Sequence, residues 1–288
     1  MSRRSQVNLR ATRYSGGFSL IELMIALVLG LLVVGAAFVV FQSNRNSFRA
    51  SEGVNRIQEG ARVAFELLSA DIRSVGGGGC SSASSVETTD GVSLAYDRTP
   101  VLGSGTELTL VSGEDSSYKI TASTNTSVTL DSTQLADATK AFAVGDRILL
   151  CNARKSYLVD LSGVGTSTLS FPALPESYDL RTDEHAPAAS VMVARLRSTR
   201  WYVADNPRGG RSLYVSRFGA AGQEVTDGVQ SVAFTYLTEG AATYSATPAS
   251  WSNVIAVRTT LVLNGDDVDG KALTRTSSNV VSLRSRTL

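Results

Sequence analysis

Few side chains in this sequence are equipped for chemistry, and their surroundings remove most of the options. The 288 residues include one histidine, His185, and two cysteines, Cys80 and Cys151. Structural zinc usually takes four Cys or His ligands, so these three leave little for a metal site. A Cys/His nucleophilic pair is equally poorly supported, and no G-x-S-x-G elbow occurs. His185, within Asp183-Glu184-His185-Ala186-Pro187, reads as a loop residue. No catalytic residue and no metal ligand is assigned, the chain is not read as an enzyme, and no cofactor is expected.

The run Asn264-Gly265-Asp266-Asp267-Val268-Asp269-Gly270 clusters carboxylates, as hard cations require. Its register fails the EF-hand test. Aligning Asp267, Asp269 and Gly270 to that pattern puts Gly265 at the first acidic ligand and Thr276 at the final glutamate. A polar turn between strands is the reading that remains.

Glu22 is the carboxylate whose position asks for an explanation, because it stands at the start of an apolar run. From Leu23 to Phe41 there are 19 residues without a charge, the length of a membrane helix. Counted from Phe18 the run spans about 36 Å at roughly 1.5 Å per residue, against a hydrocarbon core of ~30 Å. Arg3, Arg4, Arg10 and Arg13 lie on its N-terminal side with no acid among them, and the positive-inside rule then puts Met1 to Gly17 in the cytoplasm and exports the chain beyond Phe41. Formal net charge is +1, so the chain after the leader sums to 1 − 4 = −3; by charge the body is no nucleic-acid binder.

Three readings compete for this segment. A plain membrane anchor is one. A signal peptide cut before Phe38, with Gly35 and Ala37 as its small residues, is another, although the apolar stretch exceeds the usual ~7 to 15 residues. Neither needs Glu22, and an ionisable group at the edge of a membrane helix is functional by default.

The third reading is a resemblance. Gly16-Gly17-Phe18-Ser19-Leu20-Ile21-Glu22 resembles the type IV prepilin signature: a short basic leader ending in glycine, then phenylalanine, with glutamate as the fifth mature residue. The resemblance implies that prepilin peptidase, a membrane aspartic peptidase, cuts between Gly17 and Phe18 and that the new Phe18 amine is N-methylated. Removing 1–17 leaves 288 − 17 = 271 residues. Glycine admits the extended chain to a protease cleft without side-chain clash. In a filament Glu22 would face the N-terminal amine of a neighbouring subunit, worth roughly 4 kcal/mol at 4 Å and an effective dielectric near 20 before desolvation is subtracted.

Past Phe41 an apolar stripe continues at Val54, Ile57, Ala61, Ala64, Phe65, Leu68, Ile72 and Val75, spaced three and four apart, which predicts an amphipathic helix. Gly76 to Gly79 end it, so one helix is expected from about Phe18 to Val75, with Gly30, Gly35 and Gly53 as soft points. After Cys80 the period changes to two. Candidate strands are Glu107 to Ser112, Ser127 to Leu130, Arg147 to Cys151, Ser190 to Leu196, Thr199 to Ala204, Arg211 to Arg217, Val229 to Leu237 and Asn253 to Leu263. Asn206-Pro207-Arg208-Gly209-Gly210 reads as a hairpin connection. Ser81 to Asp90 and the stretch around Asn125 read as surface loops. The expected fold is α+β: a long N-terminal helix, membrane half plus amphipathic half, packed on an antiparallel β-sheet domain, with an extra β-lobe between Gly91 and Ala189. The expected segments are a removed leader (1–17), a transmembrane and filament-core helix (18–41), an amphipathic helix with its glycine end (42–79) and an exported β-rich domain (80–288).

In an exported domain Cys80 and Cys151 invite one disulfide, worth roughly 4 kcal/mol in the chain-entropy model. Two buried free thiols are the alternative.

The whole chain resembles the minor pilin PilW family through Ala70-Asp71-Ile72-Arg73, then glycines and Cys80, and through Val144-Gly145-Asp146-Arg147-Ile148-Leu149-Leu150-Cys151. Ser212-Leu213-Tyr214, Asp227-Gly228-Val229-Gln230, Phe234-Thr235-Tyr236 and Trp251-Ser252-Asn253-Val254-Ile255-Ala256-Val257-Arg258 look like its C-terminal pattern. The glycine run after the helix departs from it, since bulkier residues are expected there. The resemblance implies a single-pass inner-membrane protein with a periplasmic domain, later at the pilus tip. Its partners would be prepilin peptidase, other minor pilins, the major pilin, the inner-membrane assembly platform and a tip adhesin, in support of adhesion and twitching motility. A type II secretion pseudopilin of the large J type shares the signature and the size. A membrane-anchored enzyme or receptor is the reading from another class.

Overall fold

The computed structural model describes residues 17, 19–77, 85–87, 96–152, 154–174, 191–268 and 271–286, and of residues 266–268, 271 and 272 the backbone alone. Two compact units are present, Met1–Glu52 and Gly53–Leu288. A single helix, α1 (Leu20–Ser74), supplies the described part of the first unit beyond Ser19 and opens the second. The expected span of Phe18 to Val75 is met within two residues at each end, and Gly30, Gly35 and Gly53 all lie within the helix.

In the first unit every large apolar residue from Leu20 to Phe41 is at least 55% exposed. This half of α1 has apolar side chains all round, as a helix surrounded by other apolar groups requires.

In the second unit the stripe is used. Ile57, Ala61, Ala64, Leu68, Ile72 and Val75 are buried, with Phe65 packed against them. The helix stops where glycine begins: Gly76 sits at φ 64, a left-handed conformation that closes a helix end without a Cβ penalty.

The strands among the described residues are β1 (Ser85–Val86), β2 (Val101–Gly103), β3 (Glu107–Ser123), β4 (Ser127–Leu130), β5 (Arg147–Cys151), β6 (Lys155–Asp160), β7 (Gly163–Val164), β8 (Thr168–Ser170), β9 (Met192–Asp205), β10 (Arg211–Arg217), β11 (Gln223–Asp227), β12 (Val229–Thr238), β13 (Val254–Val268) and β14 (Lys271–Ser282). Pairing is antiparallel throughout except between β1 and β6. The last three strands form one sheet in the order β12-β13-β14, and the others form a larger sheet whose spine is β1-β6-β5-β9-β3-β4-β8-β7.

Two of these strands are longer than the alternation predicts. The expected strands at Ser190 to Leu196 and Thr199 to Ala204 are one, β9, beginning at Met192, and Ser190 lies outside the described residues. β3 continues past Ser112 to Ser123 across a bulge, the register with β9 shifting between Gly113 and Ser117. The Asn264 to Gly270 turn is also shorter than expected, because β13 and β14 stay paired through Asn264 and Asp267 as far as Val268 opposite Lys271. Asn206 builds the expected hairpin connection: its Oδ1 accepts from the Arg208 and Gly210 amides at 3.0 and 3.1 Å.

The lengths of β3 and β9 have an architectural consequence. Their outer halves, with Leu108, Leu110 and Trp201, join α1 and the C-terminal sheet in one core. Their other halves, with Ile120 and Val193, join β4, β5, β6 and β8 in a second core that contains no residue of α1. The expected extra β-lobe is this second core.

Candidate processing and assembly site

Gly17 is exposed, and a Cβ built on it would meet nothing within 4 Å. Phe18 lies outside the described residues. The helix begins at once after Ser19, whose carbonyl accepts the Leu23 amide at 3.1 Å, and Glu22 is the acid of the first turn. A carboxylate there complements the helix dipole by about 0.3–1 kcal/mol at an exposed site.

Ser19-Leu20-Ile21-Glu22 also has the spacing of a capping box, in which serine and glutamate satisfy orphan amides reciprocally. That signal stands in the sequence beside the prepilin pattern and gives Glu22 a local task. A cap does not account for the uncovered apolar surface of the helix beyond it. Among the described residues one helix is long and apolar enough to cross a membrane, and its most apolar window is wholly unburied. Val33, Ala36, Ala37, Val40, Phe41 and Asn44 line a shallow groove on it, where small residues allow another helix to approach closely.

At the far end of α1 the structure brings together residues that sequence reasoning did not connect. The Gly76 amide donates to the Val111 carbonyl at 3.0 Å, and the Gly113 amide to the Gly77 carbonyl at 2.7 Å. Ser285 Oγ donates to the Val75 carbonyl at 2.8 Å. The glycine junction is therefore tied to β3 and the C-terminus as far as Gly77. One turn earlier, buried Asp71 accepts Trp201 Nε1–H at 3.0 Å and lies 3.5 Å from Arg197 Nη2. Arg197 in turn donates to Ser74 Oγ at 3.1 Å. A buried carboxylate needs such partners, and its requirement fixes how α1 sits on β9.

Cys151 ends β5 and is fully buried beside Tyr96, Leu149, Leu158 and Leu196. Its expected partner Cys80 lies outside the described residues, as does His185. Among the described residues no group of three or more His, Cys, Asp or Glu side chains is placed to hold a metal ion.

Residues 12–38 match the prokaryotic N-terminal methylation motif. No curated protein and no solved structure matches the chain. The match covers the basic leader's end, Gly17, Phe18, Glu22 and most of the apolar run, so that processing by prepilin peptidase, membrane anchoring and an exported C-terminal domain are supported together. The amino-terminal segment is similar to that of type IV pilin-like proteins.

Proposed function

We propose that this protein is a minor type IV pilin that assembles through its N-terminal helix into a priming and tip complex for pilus biogenesis. The observation that carries the reading is the prepilin-type signal followed directly by an uncovered apolar helix with Glu22 in its first turn. Cleavage between Gly17 and Phe18 and methylation of Phe18 start the sequence of events. Glu22 then pairs with a neighbour's N-terminal amine and sets the register between helices. A second β-lobe enlarges the exported domain, and bulk beside every helix would crowd a shaft, which favours a rare or terminal position. The partners are other minor pilins, the major pilin, the inner-membrane platform and a tip adhesin. The role is structural.

A Cys80–Cys151 bridge belongs to the same reading. Its support is that Cys151 is not a free thiol and that the exported compartment is oxidising. Non-reducing peptide mapping that recovered both thiols free would refute it.

Mass spectrometry of the mature N-terminus tests the foundation. A methylated Phe18 is expected; an intact Met1, or a start at Phe38, would remove the proposal. Glu22→Gln then separates the two tasks of that residue, because glutamine serves a capping box but carries no charge. Normal membrane insertion with reduced incorporation is expected, and full incorporation would leave Glu22 a helix cap only. A deletion strain that lost protein secretion yet kept surface pili and twitching would point to the pseudopilin alternative.

A further inference from the structure

Among the described residues Phe218 is the one non-glycine residue with positive φ, at 55°. It follows β10 and precedes Gly219 at φ 71, and the Ala220 amide donates to the Arg217 carbonyl at 3.0 Å. Phe218 and Gly219 are therefore the central pair of a tight turn of the type that favours asparagine or aspartate followed by glycine. A bulky L side chain is sterically disfavoured there. Burial does not explain the choice, since Phe218 is 41% exposed.

The ring is nonetheless held. Arg195 Cζ lies 4.0 Å from its centroid, and that guanidinium is fixed by Glu114 at 3.2 Å and Asp146 at 3.5 Å. Asp146 closes its own turn by accepting the Ala143 amide at 2.8 Å, and this turn carries Val144, 67% exposed. Two exposed apolar tips are thus joined through one guanidinium. Glu114 and Asp115 stand in the β3 bulge, and bulges re-aim side chains. Asp115 is 79% exposed while Arg197, its partner, is 9% exposed, so the charge offered to solvent at this bulge is carboxylate.

We propose that Phe218, joined to Val144 through the Arg195 network, is a preformed anchor by which the exported domain docks on a neighbouring pilin-like subunit. Strained backbone persists where its surroundings over-determine it, and such positions concentrate at functional sites. An aromatic side chain immobilised before binding loses little entropy on docking. Assembly through the N-terminal helices holds exported domains at high effective concentration, which selects a neighbouring subunit as the occupant. The exposed carboxylate calls for an apolar socket with a basic rim. The inference rests on the assembly reading given above.

The test places the photo-crosslinking residue p-benzoylphenylalanine at position 144 of the full chain in its own cells. Illumination is expected to capture a second polypeptide with its own processed prepilin-type N-terminus. Phe218→Asn and Phe218→Gly, both suited to this turn, are expected to lower the yield at least tenfold, normalised to protease-resistant protein, without lowering the thermal midpoint. Unchanged yield, or a captured partner lacking such an N-terminus, overturns the proposal. The mature N-terminus of the same preparation is read in parallel. A processed Phe18 with no Phe218-dependent crosslink removes the docking surface alone, whereas an intact Met1 removes the assembly reading beneath it.

Discussion

The two halves of α1 share one backbone conformation and treat their apolar side chains in opposite ways. Between Leu20 and Phe41 the large apolar residues are exposed all round, Leu32 at 64%. Between Ile57 and Val75 the buried apolar residues occupy one stripe, with Leu68 1% exposed while neighbouring Leu67 is 42% exposed. The second half finds its partner within its own chain, in the core it shares with β9, β10 and the C-terminal sheet. The first half is uncovered among the described residues; in the proposed function a bilayer covers it before assembly and other helices after. A helix can therefore be stable for two unrelated reasons, and amphipathicity separates them.

Replacing one leucine in each half breaks the comparison most directly. Leu68→Ala is expected to cost about 2–5 kcal/mol in thermal unfolding of the exported domain, while Leu32→Ala leaves that transition where it is. A charge reverses the roles. Val33→Asp, carrying a penalty of roughly 2.5–3.5 kcal/mol at a bilayer centre, is expected to reduce membrane retention in cell fractionation without shifting the domain's unfolding. Trp201→Phe removes the donor to buried Asp71 and should destabilise by about 1.5–3 kcal/mol, read by denaturant titration.

Gly265→Ala probes how closely the second half of the helix lies on β13. A Cβ there would sit 3.1 Å from Ile57 Cδ1 and 3.2 Å from the Gly53 carbonyl oxygen, and overpacking of this kind costs about 1–3 kcal/mol. The smallest effect is expected at the surface. Hydrogen bonds from Arg208 and Ser212 hold the Glu224 carboxyl below the usual carboxylate range. Its contribution is present above the unfolded value near about 4.3 and is lost as pH falls through the lowered native value. Glu224→Gln should flatten that part of the stability profile, its small cost showing at neutral pH and vanishing in acid.

How far each element was legible depends on the range of the interactions that define it. Arg211–Arg217, Ser127–Leu130 and Arg147–Cys151 run between the residues that their alternation suggests. β14 carries Thr274, Thr276 and Ser278 on its exposed side, and so polar a strand gives little hydrophobic signal. β9 reads as two strands in the sequence because Arg197 interrupts its apolar pattern. That arginine is buried, answered by Asp71 on a helix far away in the chain. No local pattern announces such a partner. The capping-box spacing of Ser19 and Glu22 is legible too, though the stronger prepilin pattern around it hides it.

By itself the sequence determined what depends on covalent order and short-range periodicity: the arginines ahead of the apolar run, the Gly17–Phe18 pair, Glu22 ahead of an uncharged run, and a stripe that repeats with the helix. These are local because a helix closes its own hydrogen bonds and a processing enzyme reads adjacent residues. Only the tertiary structure decided that β3 and β9 serve two cores, that Asp71 meets Trp201 and Arg197, and that a strained Phe218 rests on Arg195. Strand partners, buried charges and turn strain are settled by groups scores of residues apart, whose mutual satisfaction exists only once the chain has folded.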